Sequence, residues 1–161
     1  MARSPKTTFR RARRDDARDL ALLHAAEGWC YEEENVIHEY WDDAFSKESI
    51  LVAQSGNKVV GTLELAIAHK SRWGGRFGLI RRFTVHPRWR SRGIGRRLFE
   101  FAMREAARMK LVAVELNVEG WNSRPYQFYR SEGFVEDRVE VVMVKRLRPL
   151  PRARRPRARH L

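Results

Sequence analysis

The chain has 161 residues, enough for one domain with a real core. Its hydrophobic share of 43%, with five Trp and eight Phe, is too high for a disordered chain, and it holds no apolar run of about 18 residues that could span a membrane. The formal charge of +13 gathers at the ends: residues 148–161 hold six arginines and no acid, and residues 1–19 carry seven Lys or Arg against three Asp.

The extreme basicity therefore describes the termini and does not imply a basic active site. A single cysteine, Cys30, excludes an internal disulfide and most thiolate metal sites. The five histidines show no ligand-like spacing, so no metal is expected. The first residues lack an apolar signal core, and Asp15, Asp16 and Asp19 argue against a transit peptide, so the expected location is cytoplasmic.

Residues 1–6 read as a loose end, and Thr7 to Ala12 as a first strand. Asp15 or Asp16 can N-cap a helix through Leu20, Leu22, Leu23 and Ala26, which Gly28 ends. From Asp19 to Ser46 there is no Lys or Arg, while Glu27, Glu32, Glu33, Glu34, Glu39, Asp42 and Asp43 stand among Trp29, Tyr31, Tyr40 and Trp41. Val36, Ile37, Tyr40, Trp41 and Phe45 give this second helix a packing stripe. The segment is either a solvated acidic face or an acidic, aromatic rim that attracts a cation. Ile50 to Gln54 and Lys58 to Ala68 read as strands around the turn Ser55-Gly56-Asn57.

Leu79 to Val85 forms the next strand, and Pro87 stops it. Arg90-Ser91-Arg92-Gly93-Ile94-Gly95-Arg96 follows, after which Ile94, Leu98, Phe101, Ala102, Ala106 and Met109 recur at helical spacing. Two glycines at a strand-to-helix junction let backbone approach a ligand, and a helix start offers free N–H groups that suit phosphate. Leu111 to Val118 is a strand, residues 123–132 a helix, and Val139 to Leu147 a closing strand. Pro149, Pro151 and Pro156 then break regular structure in the arginine tail.

Arg90-x-x-Gly93-x-Gly95 after a Val-x-Pro strand end resembles the acyl-CoA pyrophosphate loop of the GNAT superfamily of N-acyltransferases. Asn122-Ser-Arg-Pro-Tyr-Gln-Phe128-Tyr129, followed by Gly133-Phe134, is similar to the same family's Asn-x-x-Ala-x-x-Leu-Tyr…Gly-Phe helix, with Pro125 in the usual Ala place. The resemblance covers about residues 9–147. It implies one α/β (α+β) domain over residues 7–147, with a mixed, mostly antiparallel sheet flanked by helices and splayed at the acyl-CoA site.

Acyl transfer from a thioester to an amine requires an anchored donor, a stabilised oxyanion and a route for two protons. The 90–96 loop can anchor the pyrophosphate. By resemblance, Phe83, Thr84 and Val85 offer backbone groups to the pantetheine arm, and the Val85 amide stabilises the oxyanion, an effect worth about 3–4 kcal/mol. Tyr129 stands where the family keeps the tyrosine that protonates the thiolate, and Asn122 caps its helix near the cofactor arm. Many family members carry a carboxylate base where Arg81 and Arg82 stand here, so the base falls to Glu64, Glu115 or a water relay through the acidic helix. His69 and His86 read as surface or structural histidines.

The reading is an acetyl-CoA-dependent N-acetyltransferase acting on a cationic amine, either a small molecule or a protein amine. A second reading is a nucleic-acid-associated module whose basic ends bind phosphate backbones; a third is a noncatalytic acyl-CoA sensor. The tail lacks interleaved aromatics, so its contact with nucleic acid would be nonspecific. The sequence leaves the oligomeric state open, with a homodimer compatible, and it indicates no membrane partner.

Overall fold

The computed structural model describes residues 6–29, 32–38, 41, 50–68, 73–120, 123–145 and 147. It divides into two compact units, residues 1–118 and 119–161.

The first unit is built on five strands in the order β1 (Thr7–Arg11), β2 (Ile50–Ser55), β3 (Lys58–Ala68), β4 (Phe77–Val85) and β5 (Ala113–Leu116). The first four pair antiparallel; β5 runs parallel to β4, opposing Phe77 to Ala113 and Ile80 to Leu116. The antiparallel arrangement follows from short connections, since Ser55 to Lys58 closes a tight turn between β2 and β3. The parallel pair needs a longer crossover, and α3 (Ile94–Arg108) supplies it. This is the mixed, mostly antiparallel sheet flanked by helices that the motifs implied. No described helix is long and apolar enough to cross a membrane.

One face of the sheet carries α1 (Ala17–Ala26) and α2 (Glu33–Ile37). Leu20, Leu23 and Val36 pack there with Ile50 and Val52 in a buried cluster, and Ile37 and Trp41 flank it. Tyr40 and Phe45 of the expected stripe lie outside the described residues. Asp16 departs from the capping expectation. Its side chain makes no cap hydrogen bond to α1; it accepts from the Arg13 N–H at 2.6 Å and from Arg10 Nη1 and Nη2 at 2.7 and 2.8 Å. The carboxylate thus fastens β1 to the 3-10 turn Arg14–Asp16 rather than starting the helix. Gly28, at φ +77°, ends the α1 segment as expected.

The other face carries α3, which buries Ile94, Leu98, Phe99, Ala102 and Ala106. Phe101 and Met109 were expected inside but are only half-buried. Phe99 takes the central place, with its ring 6.3 Å from that of Phe83 on β4.

The second unit holds α4 (Arg124–Ser131). Its N-cap is Ser123, whose hydroxyl accepts from the Tyr126 N–H at 3.2 Å; Asn122, expected to cap, lies outside the described residues. Residues 134–145 contain no strand, which corrects the expectation of a closing strand from Val139. A strand exists only where a neighbour completes its backbone hydrogen bonds, and among the described residues no ladder joins this segment. Its apolar residues, Val139, Val141, Val142, Met143 and Val144, are exposed.

Candidate functional site

The resemblance places the donor site at the end of β4. His86 N–H donates to the Val60 carbonyl at 2.8 Å, so Gly61 and Val85, which oppose each other, form a non-hydrogen-bonded antiparallel pair. The N–H and C=O of Val85 therefore point away from β3. On that side β5 pairs with β4 only from Phe77 to Ile80, five residues short of Val85. The backbone of Val85 is thus turned toward the opening where the two parallel strands part.

A bulge lies just before this point. Thr62 opposes Thr84 and Glu64 opposes Arg81, so β4 has one more residue than β3 across the interval. Arg82 takes φ +47°, an uncommon conformation for a residue with a side chain, typically costing about 1–3 kcal/mol. Two ion pairs hold it. Glu64, only 1% exposed, accepts from Arg81 Nη2 through one oxygen and from Arg82 Nη1 at 3.1 Å through the other. The two arginines that replace the expected carboxylate are thus the partners of the carboxylate offered as its substitute.

The glycine loop starts immediately downstream. Ser91 at φ +59° and Gly93 at φ +72° are both left-handed, and such residues build the concave backbone arrays that bind anions. Gly93 is the N-cap of α3, and nothing within 4 Å would meet a Cβ there. Its carbonyl accepts the first helical bond, from the Arg97 N–H at 3.1 Å; the helix geometry leaves the amides of Ile94, Gly95 and Arg96 without intrahelical acceptors. Those amides and the dipole end fit a phosphate. Gly95 faces β4, where a Cβ would lie at ordinary van der Waals distance, 3.6 Å from Val85 Cγ2 and 3.7 Å from Phe83 Cζ.

Arg90 and Arg92 of the loop, and Arg97 beyond it, are engaged within the protein. Arg92 lies 5.0 Å over the Trp89 ring, and Arg97 lies 4.9 Å over the Phe9 ring. Arg90 donates from Nε to the Val85 carbonyl at 2.8 Å and from Nη2 to Glu27. Glu27 also accepts from the Thr84 hydroxyl at 2.6 Å. The sequence offers Glu27 only as one acid of a segment that is either a solvated face or an acidic, aromatic rim; nothing local signals that it reaches β4.

The remaining candidates are placed as follows. Glu115 opposes Leu79 and accepts from Trp73 Nε1 at 2.7 Å. Six residues of strand separate Leu79 from Val85, about 20 Å, so Glu115 is remote from the end of β4. His86 Nδ1 accepts from the Arg88 N–H at 3.2 Å, a local turn contact, and His69 lies outside the described residues. In the second unit Tyr129 is half-buried between Phe128 and Phe134, with ring centroids at 5.3 and 5.8 Å. Burial pushes its phenol up to about 12. No cluster of His, Cys, Asp and Glu that could hold a metal occurs among the described residues.

Solved structures share this fold. An aminoglycoside N-acetyltransferase in complex with CoA superposes with a TM-score of 0.76 at 14% identity, covering 91% of this chain and 99% of its own. A ribosomal-protein-alanine N-acetyltransferase from Brucella melitensis biovar Abortus 2308 gives 0.73 at 18% identity, over 87% and 99% of the two chains. A transcriptional regulator from Bacillus halodurans C-125 gives 0.74 at 21% identity, over 87% and 100%. No curated protein sequence matches the chain significantly. The sequence profile of the Acetyltransferase (GNAT) family matches residues 13–134, three-quarters of the chain and every element from α1 through α4. The chain therefore belongs to the GNAT acetyltransferase family.

Proposed function

We propose that the protein is an N-acetyltransferase that moves the acetyl group of acetyl-CoA to a cationic amine by direct attack. The observation that carries this reading is the Val85 peptide, turned off the sheet where β4 and β5 part and followed directly by an anion-suited helix start. In this reading the amides of Ile94, Gly95 and Arg96, with the cations of Arg90, Arg92 and Arg96, hold the pyrophosphate. The backbone of Phe83, Thr84 and Val85 lines the pantetheine arm. As the amine attacks the thioester carbon, negative charge collects on the carbonyl oxygen, and the Val85 N–H stabilises it.

Two protons then need routes. Tyr129 is assigned the donor role toward the thiolate by the motif in which it stands, and a phenol titrating near 12 keeps its proton throughout the neutral range. The ammonium proton must leave before attack. Glu64 and a water relay are the two proposed routes; on Glu64 the proton would neutralise the charge that holds Arg81 and Arg82. Those two contacts favour the alternative route through water. The acidic composition of residues 27–43 supports a cationic acceptor, and an aminoglycoside acetyltransferase among the structural relatives is consistent with one. The arginine tail lies outside the described residues; in this reading it localises the enzyme on polyanions and takes no part in catalysis.

The test is thiol release from acetyl-CoA in the presence of polyamines, aminoglycosides and basic peptides in turn. Acceptor-dependent release with at least one amine is expected. Binding of acetyl-CoA without release for any of them would favour a noncatalytic sensor. Absence of binding would remove the donor assignment.

A further inference from the structure

Glu27 lies 57 residues before Thr84 and 63 before Arg90, yet one of its oxygens, Oε1, receives both of their side chains. Both partners bear on Val85, Thr84 as its neighbour in the chain and Arg90 through a hydrogen bond. Thr84 precedes the Val85 N–H, and its hydroxyl is fixed on Glu27 at 2.6 Å. Arg90 holds the Val85 carbonyl at 2.8 Å, and its guanidinium is fixed on the same carboxylate.

Glu27 is itself well placed to act as an anchor. The α1 terminus closes on His24, whose carbonyl accepts from the Glu27 N–H at 3.1 Å and the Trp29 N–H at 3.0 Å. His24 is fully buried, with its ring 5.5 Å from that of Trp29. The carboxylate therefore projects from a fixed point at the end of α1.

A peptide that leaves the sheet has lost the ladder that would otherwise fix its direction. Val85 sits between two such peptides, because its N–H and its C=O, one in each, face away from β3 beyond the last β5 pair. We propose that Glu27 is a positioning residue that orients the Val85 amide through Thr84 on one side and Arg90 on the other. This rests on the reading of that amide as the oxyanion donor. An oxyanion donor works only when preorganised, and loss of alignment by a fraction of an ångström lowers the rate without weakening donor binding.

The experiment compares wild type with Glu27→Ala, Glu27→Gln, Thr84→Val, Thr84→Ser and the Glu27→Ala/Thr84→Val pair. Three quantities are read: the backbone order parameter of Val85 by NMR, the affinity for acetyl-CoA by calorimetry, and kcat with the best amine of the panel above. Glu27→Ala and Thr84→Val are expected to make Val85 mobile and to lower kcat about tenfold, with affinity changed less than about twofold. Glu27→Gln retains an acceptor for the Thr84 hydroxyl, and Thr84→Ser retains the hydroxyl, so both should recover most of kcat. The double variant should be less damaged than the two single losses multiplied, because both remove one shared contact. An unchanged Val85 order parameter in folded Glu27→Ala would overturn the proposal, as would a loss confined to acetyl-CoA affinity. Failure of wild type to bind acetyl-CoA would sink the functional reading, while the order parameters would still decide whether Glu27 fixes the peptide.

Discussion

Replacing Glu64 with Gln separates a structural carboxylate from a catalytic one. The side chain is 1% exposed, whereas Arg81 and Arg82 are 35% and 24% exposed. Removing the charge weakens two charge-assisted hydrogen bonds, each worth about 1.5–3 kcal/mol where both partners are buried. Here the guanidinium heads reach solvent and regain hydration, which discounts the loss. Gln keeps one acceptor oxygen but turns an N–H₂ toward a second donor, so roughly one bond is lost and one contact becomes repulsive. A destabilisation of about 2–3 kcal/mol follows, or a fall in Tm of roughly 5–10 °C for a chain of this size. The same change frees the Arg82 bulge to relax, so urea and thermal melts should agree on the loss. Activity is then measured well below the lowered Tm. If the ion pairs are its main role, kcat falls by less than about tenfold; if Glu64 accepts the ammonium proton directly, the fall is about 100-fold or more. A Tm within about 2 °C of wild type would refute the energetic reasoning.

Gly93→Ala places a Cβ at φ +72° in open space, so it should cost only about 1 kcal/mol of stability, whereas Gly93→Asp adds a negative charge beside the loop amides and should weaken acetyl-CoA binding at least tenfold by calorimetry. Tyr129→Phe preserves the ring and removes the proton, so kcat should drop about 100-fold with affinity for acetyl-CoA little changed; an unaltered rate, where chemistry limits turnover, would move the acid elsewhere. Burial alone would raise the Asp16 carboxyl, but the hydrogen bonds from Arg10 and Arg13 and their charges outweigh it and hold it below its ordinary value. Its stabilising contribution, about 2 kcal/mol, is therefore complete above roughly pH 4 and lost as pH falls through the lowered folded value. Asp16→Asn should accordingly trail wild type in urea melts at pH 6 and converge with it as pH falls below the lowered folded value. Deleting the chain after Leu147 should leave small-amine turnover nearly unchanged and flatten the salt dependence of duplex binding; identical isotherms would remove the nucleic-acid role of the tail.

Local signals carried most of the architecture. β-branched strands, a 3.6-residue apolar period and turn residues located β1 to β4, α1, α3 and α4, because each depends on neighbours within a few residues. The Arg90-x-x-Gly93-x-Gly95 loop was legible for the same reason: its left-handed turn and helix start are local properties. Even there the backbone alone did not separate the glycines, and only the packing of α3 on β4 shows that Gly95 faces Val85 and Phe83.

Other features required the chain to be brought together. Phe99 outranks Phe101 in the core because the sheet, not the helix period, selects the buried face. The bulge at Arg82 arises from register between two strands, and the Glu64 ion pairs span 17 and 18 residues across it. Val139 to Leu147 has the composition of a strand but depends on a partner edge to become one. Glu27 looked like one acid among seven between residues 27 and 43, and only its approach to Thr84 and Arg90 sets it apart. Composition and period report what a segment can do by itself. Which carboxylate meets which cation, and which peptide leaves the sheet, depends on contacts between residues that chain order keeps far apart.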